Sequence, residues 1–207
     1  MKKELIIGIF VLFIVGISGC TEQSESIKAI LQKANNIGDV YYEIDALSST
    51  EVGSYFTNHT STMKVWQKTP YMKTETTSGS LTSIMVYRPD GAYSYNNKTQ
   101  NYTKFLSLDN ETQLKFFYEM ANEMMESQTL KVLGTDTIDE KSVTIIKYTY
   151  NVSGIMPLSS KCWIWDEKGI PLRVETNSTV ENFKTSMIME YNNFVFEEIP
   201  ESIFDVS

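Results

Sequence analysis

The chain has 207 residues, a formal net charge of −8, and 18 Lys and Arg against 26 Asp and Glu. The basic residues form no run or stripe, which argues against nucleic acid as a partner and against electrostatic docking on anionic lipid. Two cysteines and one histidine leave no material for a disulfide framework or a histidine-based metal centre.

The N-terminus sets the compartment. Lys2 and Lys3 precede an apolar run from Leu5 to Gly19, and Cys20 follows. At about 1.5 Å per residue the run reaches roughly 22 Å, short of the roughly 30 Å a spanning helix needs. A charged start, an apolar middle and a small-residue end make a secretory signal. Ile17-Ser18-Gly19-Cys20 has the form of a lipobox, in which the cysteine is lipidated and the chain is cut just before it. The expected division is a lipoprotein signal over 1–19, a lipid-anchored tether over 20–26 and a single domain over 27–207. The alternative is an uncleaved anchor. Either way the domain is expected outside the cytoplasm, held at the membrane. Six Asn-x-Ser/Thr acceptors, Asn58, Asn97, Asn101, Asn110, Asn151 and Asn177, are candidate glycosylation sites. A lipobox together with these sequons suits an archaeal surface lipoprotein.

After the tether, Ile27, Ile30, Leu31 and Ala34 fall at helical spacing, with Ser24 as candidate N-cap and Gly38 as the stop. β-Branched and aromatic segments follow: 39–48, 55–68, 71–78, 81–88, 92–97 and 100–105. Pro89-Asp90-Gly91 marks one of the turns between them. A second helix is predicted from 109 or 110 to 126. Leu114, Phe117, Ala121 and Met124 make its apolar stripe, widened by Phe116, Met120 and Met125. Strands resume at 129–137, 142–151, 160–166, 170–176 and 184–196. The C-terminal coil carries Ile199 and Phe204 back to the body. Helix, strands, helix, strands imply an α+β fold. The sheet is expected to be antiparallel with the helices packed on one face, and at this length it must curl or close.

Within "CWIWDEKGIPLRVE" (162–175), Asp166 to Gly169 reads as a hairpin turn with Gly169 left-handed. That register places Trp163, Trp165, Ile170 and Leu172 on one face. Cys162, Ile164, Pro171 and Arg173 fall on the other.

This hairpin resembles the W-I-D…G-x-P-L-R hairpin of the LolA/LolB-like lipoprotein carriers, which include the LppX/LprG-type lipoproteins. Three further segments resemble that family in the expected order. "KTPYMKTET" (68–76) has Lys73 where Arg is usual. "KVLGTDTIDEKSVTIIKY" (131–148) has Asp139-Glu140 where a Gly is common. "MIMEYNNFVFEEIPESIF" (187–204) matches the last strand and the coil after it. The resemblance implies a strongly curved antiparallel sheet, an unclosed half-barrel with the helices covering its concave face, a lipid or other hydrophobic small molecule bound between sheet and helices, and a place in lipid or lipoprotein transport. A monomer with no cofactor is expected. Candidate lining residues on the second helix are Phe116, Phe117, Met120 and Met124. Those on the strands are Met85, Tyr87, Ile146, Tyr148, Trp163, Trp165, Met187 and Met189. The competing expectation is a cell-surface interaction or sensing module with the same fold and no cavity. Catalysis is not expected: His59 sits inside a sequon on a Thr-rich strand, and the chain has neither a nucleophile elbow nor a Gly-rich phosphate loop.

Overall fold

The computed structural model describes residues 26–106, 116–152 and 156–206, so the signal, Cys20, Ser24, Asn110 and Leu114 lie outside the described residues. One sheet of eleven strands dominates. Its first half is β1 (Val40–Val52), β2 (Tyr55–Lys68), β3 (Tyr71–Ser78), β4 (Leu81–Arg88), β5 (Gly91–Asn96) and β6 (Asn101–Leu106). Its second half is β7 (Lys131–Ile138), β8 (Lys141–Val152), β9 (Met156–Trp165), β10 (Pro171–Val180) and β11 (Phe183–Val195). Both halves are runs of antiparallel hairpins. They join where β1 pairs with β11, giving the order β6-β5-β4-β3-β2-β1-β11-β10-β9-β8-β7. The edges β6 and β7 do not meet, so the sheet stays open. Strand twist accumulates across that many strands, and the sheet curls into a half-barrel.

Two helices cover one face. The first, α1, is α-helical over 26–31 and tightens into a 3-10 turn at Gln32–Asn36. It ends at Asn36, two residues before the Gly38 stop, and leaves through Ile37 in an extended conformation, with no left-handed glycine cap. The second, α2 (Phe116–Glu126), lies in the connection between the two edge strands. The i, i+4, i+7 stripe of Phe117, Ala121 and Met124 is buried, while Glu119, Glu123 and Glu126 face outward. The main core lies under both helices: Ile27, Leu31, Phe117, Ala121 and Met124 pack on Val40, Tyr42, Ile44, Ile146, Cys162 and Ile164. Tyr42 is its aromatic centre, 4.8 Å from Phe117 and stacked on Phe194 at 5.7 Å.

The other face, the outer face, carries two smaller clusters. Val86, Ile199 and Phe204 bring the C-terminal coil onto β3 and β4, with Tyr71 stacked on Phe204 at 5.5 Å. Lys68 ties that coil down: its Nζ lies 3.2 Å from Asp39 and donates to the Ile199 carbonyl at 2.9 Å. Val143, Trp163 and Leu172 form the second cluster.

The β9–β10 hairpin departs from the predicted register. Trp165 donates its N–H to the Ile170 carbonyl at 2.8 Å, and Gly169 closes the turn at φ 73°. The pairing then shifts between Pro171 and Arg173, so Leu172 is the extra residue of a bulge. Ile170 therefore joins the core under α1, away from Trp163 and Leu172, and Arg173 falls opposite Trp163. Pro171 opens its strand at this irregularity, where a missing donor is tolerated.

Two substitutions test these turns. A Cβ on Gly169 would sit 2.3 Å from the Ile30 carbonyl of α1 and would also be left-handed. Gly169→Ala should cost at least about 1–2 kcal/mol from its conformation alone, with the α1 clash added, read as a lower urea midpoint. The two-residue β7–β8 turn holds Asp139 at φ 47° and Glu140 at φ 63°, both left-handed without a glycine. Glu140→Gly should raise stability by about 1 kcal/mol in the same assay.

Candidate functional site

Side chains of a strand alternate between two faces. Propagating that alternation from the buried core through the observed registers places the eighteen Asp, Glu, Lys and Arg of the strands on the outer face. The helix face of the described strands carries none. Burying an unpaired charge under apolar helices would cost several kcal/mol, which explains the partition.

The helix face is soft as well as neutral. Met63 and Met72 from the sheet, Met120 and Met125 from α2, and Met189 from β11 pack partly buried against the core that holds fully buried Met124. Six of the ten methionines thus lie in or at the margin of the core under the two helices. A thioether on an unbranched stem fills irregular space and re-packs readily.

The lining candidates fall into three groups. Phe117, Met124, Ile146 and Tyr148 are buried in the core under α2, and Met120 and Met189 pack at its margin. Trp165, at the end of β9, packs against both that core and the outer-face cluster of Val143, Trp163 and Leu172. Met85 and Tyr87 are half-buried on the helix face farther along the first half-sheet, with Tyr87 Oη donating to Met85 Sδ at 3.4 Å. Phe116 and Met187 are more exposed, at 38% and 37%. Trp163 alone lies wholly on the outer face. Lys161 Nζ stands 4.3 Å over its ring and the Arg173 guanidinium 5.3 Å from it, so it is a platform for cations. Bulge and alternation place it there. The pattern of apolar residues alone could not, because Trp163 and Cys162 are both buried on opposite faces.

Sequence reasoning missed Met63, Met72 and Ile44, whose helix-face position follows from pairing Ile44 with Met63 and Gln67 with Met72. Gln67, 3% exposed, was also missed; its Oε1 has no hydrogen-bond partner. Of the sequons, Asn58 and Asn177 are exposed on the outer face in one cross-strand row through Ser49 and Ser186. Asn97 and Asn101 are exposed around the β5–β6 turn. The Asn151 side chain lies outside the described residues. Among the described residues, no three His, Cys, Asp or Glu are grouped to hold a metal ion.

A groove of about 460 Å³ opens on the outer face across β1, β2, β10 and β11, with Leu47 and Ile188 in its floor. Arg173 crosses it to Glu190 at 2.9 Å and Glu175 at 2.7 Å. A hydrophobic ligand seated there would strip water from these charges without replacing it, so the groove suits an apolar ligand poorly. Another cavity, of about 480 Å³ beside the end of α1, is rimmed by Lys33, Lys168, Glu197 and Glu198 and has the same drawback.

Burial also governs the titratable groups of the helix face. It pushes the Cys162 thiol up to about 12, with a smaller contribution from Glu123, and raises the Tyr42, Tyr148 and Tyr191 hydroxyls well above their usual range. Cys162 is therefore a protonated core residue at neutral pH, with no nucleophilic thiolate.

No protein-family model matches the chain, and no curated protein sequence does. Solved structures share its fold. An uncharacterized conserved protein from Thermus thermophilus is 12% identical, with a TM-score of 0.50 over 85% of this chain and 90% of its own. The Mycobacterium tuberculosis lipoprotein LppX is 14% identical, with a TM-score of 0.48 over 85% of this chain and 98% of its own. A LolA superfamily protein from Nitrosomonas europaea is 8% identical, with a TM-score of 0.41 over 86% of this chain and 96% of its own. At these identities the likeness is one of fold alone.

The pKa directions set a pH dependence. A folded-state thiol near 12 against an ordinary value of 9.0 means that the unfolded chain releases its proton first as pH rises. Stability should be flat below about pH 9 and fall between 9 and 12, with the three tyrosines steepening the loss above 10. Urea midpoints from about pH 7 to 11 measure this, and Cys162→Ala should remove the earliest part of the decline.

Proposed function

We propose that this protein is a non-enzymatic lipoprotein of the cell surface that holds a lipid or similar hydrophobic ligand between α2 and the helix face of the sheet. The observation that carries this reading is the presence of six methionines in and around the core under the helices. A core meant only to be rigid is served better by branched side chains with few rotamers. A lining that must close over an ill-fitting apolar ligand, and collapse when it leaves, is served by thioethers. The wide, uncharged helix face supports the same reading, and so do the four segments that resemble the LolA/LolB-like carriers.

Attachment belongs to the same proposal. Among the described residues no helix is long and apolar enough to cross a membrane. Cys20, lipidated and six residues before α1, would hold the domain within roughly 20 Å of the bilayer surface. A carrier so tethered works as a receptor or local relay and does not shuttle freely. The candidate sequons at Asn58 and Asn177 would place sugar on the outer face, away from the ligand.

A second reading has an observation of its own. The β1–β2 and β10–β11 hairpin tips are joined by a Gly53 N–H to Asn182 carbonyl bond of 3.2 Å, and they expose Val52, Tyr55, Phe56, Val180 and Phe183. An exposed apolar cluster suits a protein contact. Under that reading the chain would be a surface interaction module with a filled core.

The discriminating experiment is ligand uptake. The protein extracted from its own membrane should carry lipid detectable by mass spectrometry and should take up a fluorescent fatty acid. Met189→Lys should weaken uptake on the order of tenfold while leaving the far-ultraviolet circular dichroism unchanged. No bound lipid and no uptake would favour the interaction module. Separately, Cys20→Ala should move the protein from the membrane fraction to the soluble fraction.

A further inference from the structure

Beyond α2 the helix face changes character along the strands. Past Ala46, Met63 and Met189, the next two cross-strand rows are mainly hydroxylic. One holds Ser48, Thr176 and Ser160 beside Met187 and His59; the other holds Thr50, Thr57, Thr185 and Ser178. The strip ends at the apolar hairpin tips, where Val52, Tyr55, Val180 and Phe183 stand on this same face. Its β10 side is closed, with Ser160 and Thr176 buried and hydrogen-bonded at 2.9 Å. Its β2 side is open, with Thr57 and His59 exposed. His59 is the one basic side chain of the described strands on this face, and Ser78 already meets its Nε2 at 2.8 Å.

We infer that this Ser/Thr strip is a head-group shelf, and that the ligand of the helix face is an uncharged, hydroxyl-bearing amphiphile, excluding anionic lipid. The inference rests on the ligand reading above. A phosphate or carboxylate placed on the strip would lose its hydration and meet no Lys or Arg from any described strand on that face. A hydroxylated head can instead both donate to and accept from serine and threonine hydroxyls. Charges are plentiful on the outer face of the same strands, so their exclusion from the shelf is a property of this face and not of the chain's composition.

The test is a competition in the membrane. The full chain is reconstituted into phosphatidylcholine vesicles doped with equal amounts of monogalactosyldiacylglycerol and phosphatidylglycerol of the same acyl chains. It is then re-extracted, and the lipid it retains is measured by native mass spectrometry. The expected ratio favours the galactolipid on the order of tenfold. A ratio near one, or one favouring phosphatidylglycerol, overturns the inference while leaving the lipid-carrier reading standing. Retention of no lipid overturns both. Thr57→Lys, at an exposed position of the shelf, should shift the ratio toward phosphatidylglycerol on the order of tenfold. Thr62→Lys, exposed on the outer face of the same strand, should not move it; equal shifts from the two variants would place the effect in general surface charge and count against the shelf.

Discussion

A strand has two faces, and everything else in this protein follows from putting every strand charge on one of them. Eleven strands share one continuous hydrogen-bonded ladder, so the choice made at Tyr42 and Val65 is inherited by every neighbour through the pairing. A slip of one residue anywhere would turn a row of lysines and glutamates beneath α2. The desolvation cost of that exchange makes the register one of the best-determined features of the fold. It also leaves a large neutral surface that two short helices only partly cover.

The open edges decide how that surface can be used. β6 and β7 end the sheet without meeting, and α2 lies in the connection between them, held mainly by Phe117, Ala121 and Met124. A helix fixed at three apolar positions over a methionine bed can shift without breaking backbone pairing, because no ladder bond crosses from it to the sheet. The C-terminal coil works in the opposite sense. It is bolted to the outer face by Phe204, Ile199 and the Lys68–Asp39 pair, so the first half-sheet is stiffened from behind while its helix face remains free to adapt.

Much of this was legible in the residues. β2, β3 and β4 have the bounds that their alternation and flanking turns predict, and the hairpin order follows from short connections. What was not legible came from local irregularities that change parity. The bulge at Leu172 separates Ile170 from Trp163 and moves Arg173 beside it; apolar spacing cannot register one extra residue in a strand. Gly38 marks the end of α1, which falls at Asn36, but the stop itself is a 3-10 turn leaving through an extended Ile37 and not a left-handed glycine cap. Met63 and Met72 went unassigned because a sequence shows which residues share a strand face and not which face of the sheet receives the helices. That is settled by pairing across β1, β2 and β3.

The two faces also differ in what they can recognise. On the outer face Arg173 joins Glu175, Glu190 and Trp163 in one network, a rigid, charged surface that a polar or glycan-bearing exterior tolerates well. On the helix face the polar groups are mainly hydroxyls and one orphaned amide carbonyl, and the Cys162 thiol is held protonated by burial. Such a surface can discriminate only by shape, by apolar area and by neutral hydrogen bonds. Selectivity of that kind is modest per contact and grows with the length of the ligand that lies along the face. Under the proposed reading, a face running from the tyrosines under α2 to the apolar hairpin tips would favour a long amphiphile over a compact one, because only length engages the core methionines and the hydroxyl strip together.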